Sequence, residues 1–394
     1  LQPKYMQAVG AQISATPLSE LKAYMRWRVL ATYAPWLPKR FSDENFAFGS
    51  RLTGTKTQLP RWKRCVGLVD TRLGAALGQA WVERAFPPEA KARAQLMVAN
   101  IADALRDDLN TLSWMSDATR KQALEKLAAM RRKIGYPDKW KSYAPVLVER
   151  GSLLADVQNA DAYNVAFDVA KIGKPPDPSE FGMTPQTVNA YYSPTRNEIV
   201  FPAGILQPPF FDYGPDADDA INYGGIGAVI GHEMTHGFDD QGRLYDEKGN
   251  LRNWWTPGDA ARFDARSQCI VDQFSAFRVG DLNINGKLVE GEAIADLGGL
   301  TLAYRAFEAS QAGKPKRAID GFTHEQRFFL GFAQIWGSTT SPQLERTLAL
   351  VDPHPPDEDR INGTLQNMPQ FAAAFGCAAS DAMVRKPGDR CQIW

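Results

Sequence analysis

Two histidines stand four residues apart in the stretch GHEMTHGFDD, residues 231–240, and a glutamate follows the first of them. On an α-helix His232 and His236 project from one face, one turn apart, so both imidazoles can reach a single metal ion. Glu233 lies beside the first of them, where its carboxylate can meet a water on that metal. Zinc accepts neutral imidazole, thiolate and carboxylate, and a catalytic zinc keeps three protein ligands and one open position. The preceding residues INYGGIGAVI are apolar and small, which suits a buried helix. The competing reading is a pair of satisfied core histidines. With only four histidines in the chain, His232, His236, His324 and His354, chance seldom produces this spacing. His324, in GFTHEQRFF, has no motif around it and reads as structural.

A third ligand must come from elsewhere. Cys65, Cys269, Cys377 and Cys391 form no CxxC pair, so a carboxylate is the natural candidate. The stretch NGKLVEGEAIADLGGLTLAYRAF, residues 285–307, places Glu292 and Asp296 four apart on an expected helix. Two unpaired carboxylates among Ala, Ile, Leu and Gly would be costly to bury. The alternative is an exposed acidic face, but the nearest basic residues are Lys287 and Arg305. The favoured reading makes Glu292 the third metal ligand. Asp296 then accepts the N–H of a ligand imidazole and fixes its tautomer. Two other patterns are set aside. YGGIGAVIG does not satisfy GxGxxG, and FDDQGRLYDEKGN does not match the calcium-loop spacing.

The elements that must position these residues divide the chain into an expected helical lobe, residues 1–172, and a catalytic lobe, residues 173–394. In the first, LKAYMRWRVL and AKARAQLMVANIADALRDDL read as helices, as does 116–137. Ser116 or Asp117 caps that last helix, Leu124, Leu127, Ala128 and Ile134 share a face, and Gly135 and Pro137 stop it. The proline-rich stretch 171–185 cannot continue a helix and marks the boundary. Beyond it, TVNAYYSPTRNEIVF predicts a β-hairpin, and PAGILQPPFFDYGPD a long loop with exposed aromatics. The fold class is mainly α with a small β component.

Composition narrows the function classes. Of 394 residues 44% are hydrophobic and 23% charged, enough for a large core. The 45 basic and 45 acidic residues cancel and there is no Lys/Arg run of the kind that tracks phosphates, so no nucleic-acid partner is expected. No stretch reaches the about 18 apolar residues of a membrane span. The opening LQPKYMQAVG has neither an initiator methionine nor a signal-peptide pattern, so a processed chain or part of a longer precursor is expected.

Taken together, VNAYY, EIVFPAGILQPPFF, NYGGIGAVIGHEMTHGFDDQGR, GEAIADLGGL and the final CQIW resemble the neprilysin/endothelin-converting enzyme family of zinc metallopeptidases. RWKRCVGLV, LSWMSDATRKQALEKL and KIGYP extend the resemblance through the first lobe. It implies a thermolysin-like zinc lobe facing a helical lobe, one zinc ion held by His232, His236 and Glu292, and Glu233 as general base. It further implies that Asp296 supports a zinc-bound histidine, that His354 stabilises the transition state, and that Asp239 orients His354. Asn189 and Ala190 match the segment that pairs with substrate backbone, and Arg360 the arginine that grips a substrate carbonyl. Ile205, Phe210, Val229 and Trp336 match the apolar pocket for the residue after the cut.

The implied function is a metalloendopeptidase cutting short peptides on the N-terminal side of hydrophobic residues, with a zinc-bound water activated by Glu233 as nucleophile. The alternatives are a peptide-binding relative, or a chain inactive without its N-terminal segment, which can also be a cleaved, associated partner. The resemblance implies a Cys269–Cys391 disulfide, with Cys65 and Cys377 seeking partners in that segment. It points to an extracytoplasmic location: secreted, periplasmic or anchored through the missing part.

Overall fold

The computed structural model describes residues 2–394. The early helices are α1 (Pro3–Ala15), α2 (Leu18–Tyr33), α3 (Lys39–Thr53), α4 (Arg61–Ala85), α5 (Pro88–Thr111) and α6 (Asp117–Ala129), followed by strand β1 (Arg131–Gly135) and α7 (Leu153–Val169). Strands β2 (Tyr191–Ser193) and β3 (Glu198–Pro202) come next, then α8 (Asp219–Asn222), a π-helical turn at Tyr223–Gly227, and α9 (Ala228–Thr235). The chain continues through α10 (Pro257–Ser275), the short strands β4 (Arg278–Val279) and β5 (Leu282–Asn283), and α11 (Glu290–Ser310). It ends with α12 (His324–Ile335), α13 (Pro342–Val351), α14 (Asp357–Leu365) and α15 (Pro369–Phe375). The fold is mainly helical with a small β component, as expected. No helix among the described residues is long and apolar enough to cross a membrane.

Two compact units form, one of residues up to Leu73 with Ser142–Pro176, the other of Gly74–Lys141 with Asp177–Trp394. This differs from the expected division at 172/173. The chain leaves the first unit where α4 breaks at Leu73 (φ −124°, ψ 28°), re-enters at Ser142, and leaves again within the proline-rich stretch. Residues 74–141 belong with the zinc motif because β1 is bonded to β3 and α5 packs on α11. Within the first unit Asp161 of α7 receives Arg72 at 3.1 Å, and Asn164 Nδ2 donates to the Arg72 carbonyl. Val157 and Ala160 are the buried positions of α7, whereas α1 and α2 bury none.

In the second unit β1, β3 and β2 form a sheet in that order, β1 parallel and β2 antiparallel to β3. The hairpin is as expected, turning through Asn197 at φ 45°. The helix expected to run to Ile134 does not: it stops at Ala129, and RRKIG is strand β1. Every residue of β3 is buried, so its backbone groups need partners on both sides, and that tertiary demand outweighs local propensity. Ser116, not Asp117, caps α6, and its hydroxyl also donates to Asp259 of α10. The aromatics of the 202–216 loop are not exposed: Phe211 is fully buried and Phe210 half-buried.

α11 runs through the middle of this unit, with Ile294, Leu300, Leu302 and Ala303 fully buried. Its closest neighbour is α9, and they touch backbone to backbone. A Cβ on Gly231 would lie 2.5 Å from the Gly299 carbonyl oxygen, and one on Gly299 2.3 Å from the His232 nitrogen. The implied Cys269–Cys391 disulfide is present and ties α10 to the C-terminal tail. Cys65 and Cys377 are unpaired thiols.

Gly299→Ala must push these helices apart. We expect a loss of about 1–3 kcal/mol of stability, read as a lower midpoint in urea denaturation, with weaker zinc retention in the same protein.

Candidate metal centre

The apolar face of α9 is not a stripe but the whole helix, every residue from Ala228 to Thr235 being buried. The π-helical turn before it lets the Ile226 amide donate to the Phe210 carbonyl at 3.0 Å, tying the proline-rich loop to the helix. Residues 232 and 236 then fall on the face toward the N-terminal turn of α11.

Three donor atoms converge there. His232 Nε2 lies 2.9 Å from His236 Nε2 and 3.3 Å from Glu292 Oε2, and His236 Nε2 lies 3.7 Å from the same carboxylate oxygen. A tetrahedral zinc with bonds of ~2.0–2.1 Å sets neighbouring donors ~3.3 Å apart, so these spacings fit that ion. Glu292 Oε2 is buried without a hydrogen-bond partner, as an oxygen reserved for a metal would be. The other ring nitrogens are held: Nδ1 of His232 by Asp296 at 2.8 Å and Nδ1 of His236 by Asp239 at 2.6 Å. Each carboxylate accepts the Nδ1 proton, which leaves each Nε2 lone pair aimed at the common point.

This corrects one expectation. Asp239 does not orient His354, because its carboxylate already serves His236 and accepts from the backbone amides of Gln241 and Gly242. His354 is held instead by Asp352, whose Oδ1 lies 2.7 Å from its Nδ1, and its Nε2 faces Glu292 Oε1 at 3.3 Å. Asp352, two residues before His354, is a site residue that sequence reasoning missed; the DPH spacing was its signal.

Arg360 of α14 closes the back of the site. Its Nε and Nη2 donate to the two oxygens of Asp296, both at 2.7 Å, so Asp296 joins the arginine to His232. The guanidinium stacks on Trp336, 3.8 Å from the ring centroid. Burial alone would raise the Glu292 carboxyl, but the His232 and His236 imidazoles beside it hold it far below the usual carboxylate range. Glu233 has no such partner; burial pushes its pKa up against the opposing histidine charges. A buried, basic carboxylate thus stands next to the donor trio.

A cavity of about 800 Å³ opens over the centre. Its walls include Asn189 and Ala190 on the approach to the edge strand β2, Ile205, Phe210, Val229 and Trp336 on an apolar side, and His354 and Arg360. The residues expected at the site all line this cavity, and His324, expected to be structural, does not. Asn189 Oδ1 accepts from the Ala190 amide, and Ala190 is buried.

Lys126 was also missed. It lies on the buried face of α6 with Thr119, Ala123 and Leu127, and a lysine in that apolar register was its signal. Its ammonium donates to the carbonyls of Gly237, Gly242 and Tyr245 at 2.6–2.8 Å, which shapes the loop carrying Asp239. Burial lowers its pKa to about 7, with Asp239 and Asp246 opposing.

Two helices that supply paired imidazoles and a carboxylate, beneath an apolar cavity, define a metal-centre protein of the HExxH type. Residues 189–391 match the model of peptidase family M13, and residues 1–137 match that family's N-terminal model. The chain belongs to peptidase family M13. It is 39% identical to human endothelin-converting enzyme 1 over 403 residues, covering 99% of this chain and 52% of the relative. It is 37% identical to neprilysin-3 of Drosophila melanogaster, covering 95% and 48% respectively. Among solved structures, a zinc metalloprotease of Mycobacterium tuberculosis in complex with an inhibitor is 43% identical with a TM-score of 0.94, covering all of this chain and 60% of that one. PepO from Lactobacillus rhamnosis is 33% identical with a TM-score of 0.87, covering 96% and 58%. The expected neprilysin/endothelin-converting enzyme kinship holds. The chain spans about half the length of the curated relatives it matches.

Lys126→Met removes a donor from three carbonyls and leaves that of Gly237 without one, since the Tyr245 amide still donates to Gly242 and the Trp254 indole to Tyr245. It should cost at least ~2 kcal/mol in chemical denaturation and lower the zinc content after dialysis. A pH effect follows at Asp359 in the first turn of α14, whose carboxyl burial raises to about 6, with Glu358 and Glu345 adding to the shift. The folded state holds this proton more tightly than the unfolded chain, so stability falls as pH rises from about 4 through 6. Asp359→Asn should therefore raise the melting temperature at pH 7 and leave it unchanged near pH 4.

Proposed function

We propose that this chain carries the catalytic centre of a zinc metalloendopeptidase that hydrolyses short peptides on the N-terminal side of hydrophobic residues, with one zinc ion at the centre. The observation that carries this reading is the trio of His232, His236 and Glu292 donors at zinc spacing under a cavity with an apolar wall.

His232 Nε2, His236 Nε2 and Glu292 would hold the ion. When bound, zinc supplies a Lewis acid for the scissile carbonyl and lowers the pKa of a water toward ~7. The chain's own residues do the rest. Glu233, kept basic by its burial, takes a proton from the attacking water and passes it to the leaving amine as the C–N bond breaks. His354 and Arg360 line the cavity, where they can stabilise negative charge developing on the carbonyl oxygen. Asp352 positions His354, and Asp296 holds both His232 and Arg360 in register.

An extended peptide would lie along Asn189 and Ala190, using backbone hydrogen bonds that do not depend on its sequence. Specificity then rests on Ile205, Phe210, Val229 and Trp336, which favour an apolar side chain after the cut. The Cys269–Cys391 disulfide supports an extracytoplasmic site of action.

The test is mass spectrometry of a mixed short-peptide digest with and without a zinc chelator. Chelator-sensitive cuts before Phe, Leu or Ile are expected, and Glu233→Gln should retain zinc while losing about 10²–10⁴-fold in kcat. Zinc-loaded protein that binds these peptides but cuts none would replace this reading with a peptide-binding one. Full activity in Glu233→Gln would remove Glu233 as the base.

A further inference from the structure

A second group of metal-type donors lies at the other end of α11. Glu308 closes that helix, while His324 and Glu325 open α12, and one ligand atom from each of the three falls within 4.8 Å of the others. Glu308 is sixteen residues beyond Glu292 on the same helix, about 24 Å at 1.5 Å per residue, so this group is separate from the first centre.

His324 is 6% exposed, and Phe307 packs edge-on against its ring with centroids 5.4 Å apart. Its Nε2 lies 3.1 Å from Glu325 Oε1 and 3.4 Å from Glu308 Oε1, yet it has no hydrogen-bond partner, nor has Glu308 Oε1. Leaving such buried atoms unpaired is costly, and an imidazole nitrogen flanked by two carboxylate oxygens at 3.1–3.4 Å repeats the edge lengths of a zinc tetrahedron. Among the described residues the cation serving the cluster is Lys316, whose Nζ is 2.9 Å from Glu325 Oε1 and 3.9 Å from Glu308 Oε2. Its side chain is 57% exposed, and a single ammonium reaches neither Glu308 Oε1 nor the imidazole.

The geometry points to a second divalent-metal site formed by Glu308, His324 and Glu325, which pins the end of α11 to the start of α12 across the 311–323 loop. One imidazole and two carboxylates suit a borderline cation such as Zn²⁺, with water in the remaining position. Lys316 acts as its competitor: metal entry displaces the ammonium into solvent. The site's role is to hold α11, the helix that also carries Glu292 and Asp296, by its far end.

Zn²⁺ itself is the probe. Lys316→Met removes the competitor, so after equilibration with excess Zn²⁺ and dialysis this variant should carry two zinc ions per chain by elemental analysis. Lys316→Met/His324→Ala should carry one. In a His232→Ala/His236→Ala background, calorimetric titration with Zn²⁺ should find one saturable site, at least tenfold tighter with Lys316→Met and at least tenfold weaker with Glu308→Gln. Circular dichroism checks folding of each variant. A single zinc in Lys316→Met overturns the proposal. So does a second zinc that survives His324→Ala, since it then sits on other groups.

Discussion

The backbone contact between α9 and α11 at Gly231 and Gly299 governs the geometry of the metal centre. His232 and His236 come from the first helix and its C-terminal cap, Glu292 and Asp296 from the second. Donor spacings of 2.9–3.7 Å across two elements hold only if the helix axes approach more closely than side chains permit. Two facing glycines allow that approach, and the apolar burial of both helices holds it. The pair is rigid for the same reason it is close: no flexible side chain lies between the backbones to absorb a displacement.

Around that contact the structure arranges buried charge in closed chains. Asp296 bridges His232 and Arg360, Arg360 rests on Trp336, and Asp239 joins His236 to the amides of its own loop. Lys126 fixes the same loop from the opposite side through three carbonyls. In a low-dielectric interior each such group costs much when unpaired and is strongly directed when paired. Glu233 stands outside these chains. That isolation keeps it basic, whereas Glu292, between two imidazoles, stays ionised.

Much of the centre was legible because its chemistry is local in sequence. The HExxH spacing is one helical turn, and the carboxylate pair at 292 and 296 is another, so each half announces a shared face without reference to the fold. The hairpin around Asn197 and the amphipathic α5 were legible for the same reason. Most of what was misread depended on partners distant in the chain. RRKIG looked like the end of a helix, yet the buried strand β3 recruits it as β1. Residues 74–141 looked like part of a separate lobe, yet they pack with the zinc motif. Asp239 was assigned to His354, although the i, i+3 spacing from His236 made the nearer pairing available.

By itself the sequence determined the set of candidate metal donors, the helical periodicity that sets them in pairs, and the carboxylate between the histidines proposed as base, because those depend on spacings of a few residues. Only the tertiary structure decided which carboxylate serves which imidazole, that Arg360 is tied to Asp296, and that Asn189, Phe210, Trp336 and His354 line one cavity. It alone brought Glu308 beside His324. Of those relations, the contacts of His232 and Arg360 with Asp296 join residues 64 positions apart, and they arise from the packing of α11 against its neighbours rather than from any local pattern.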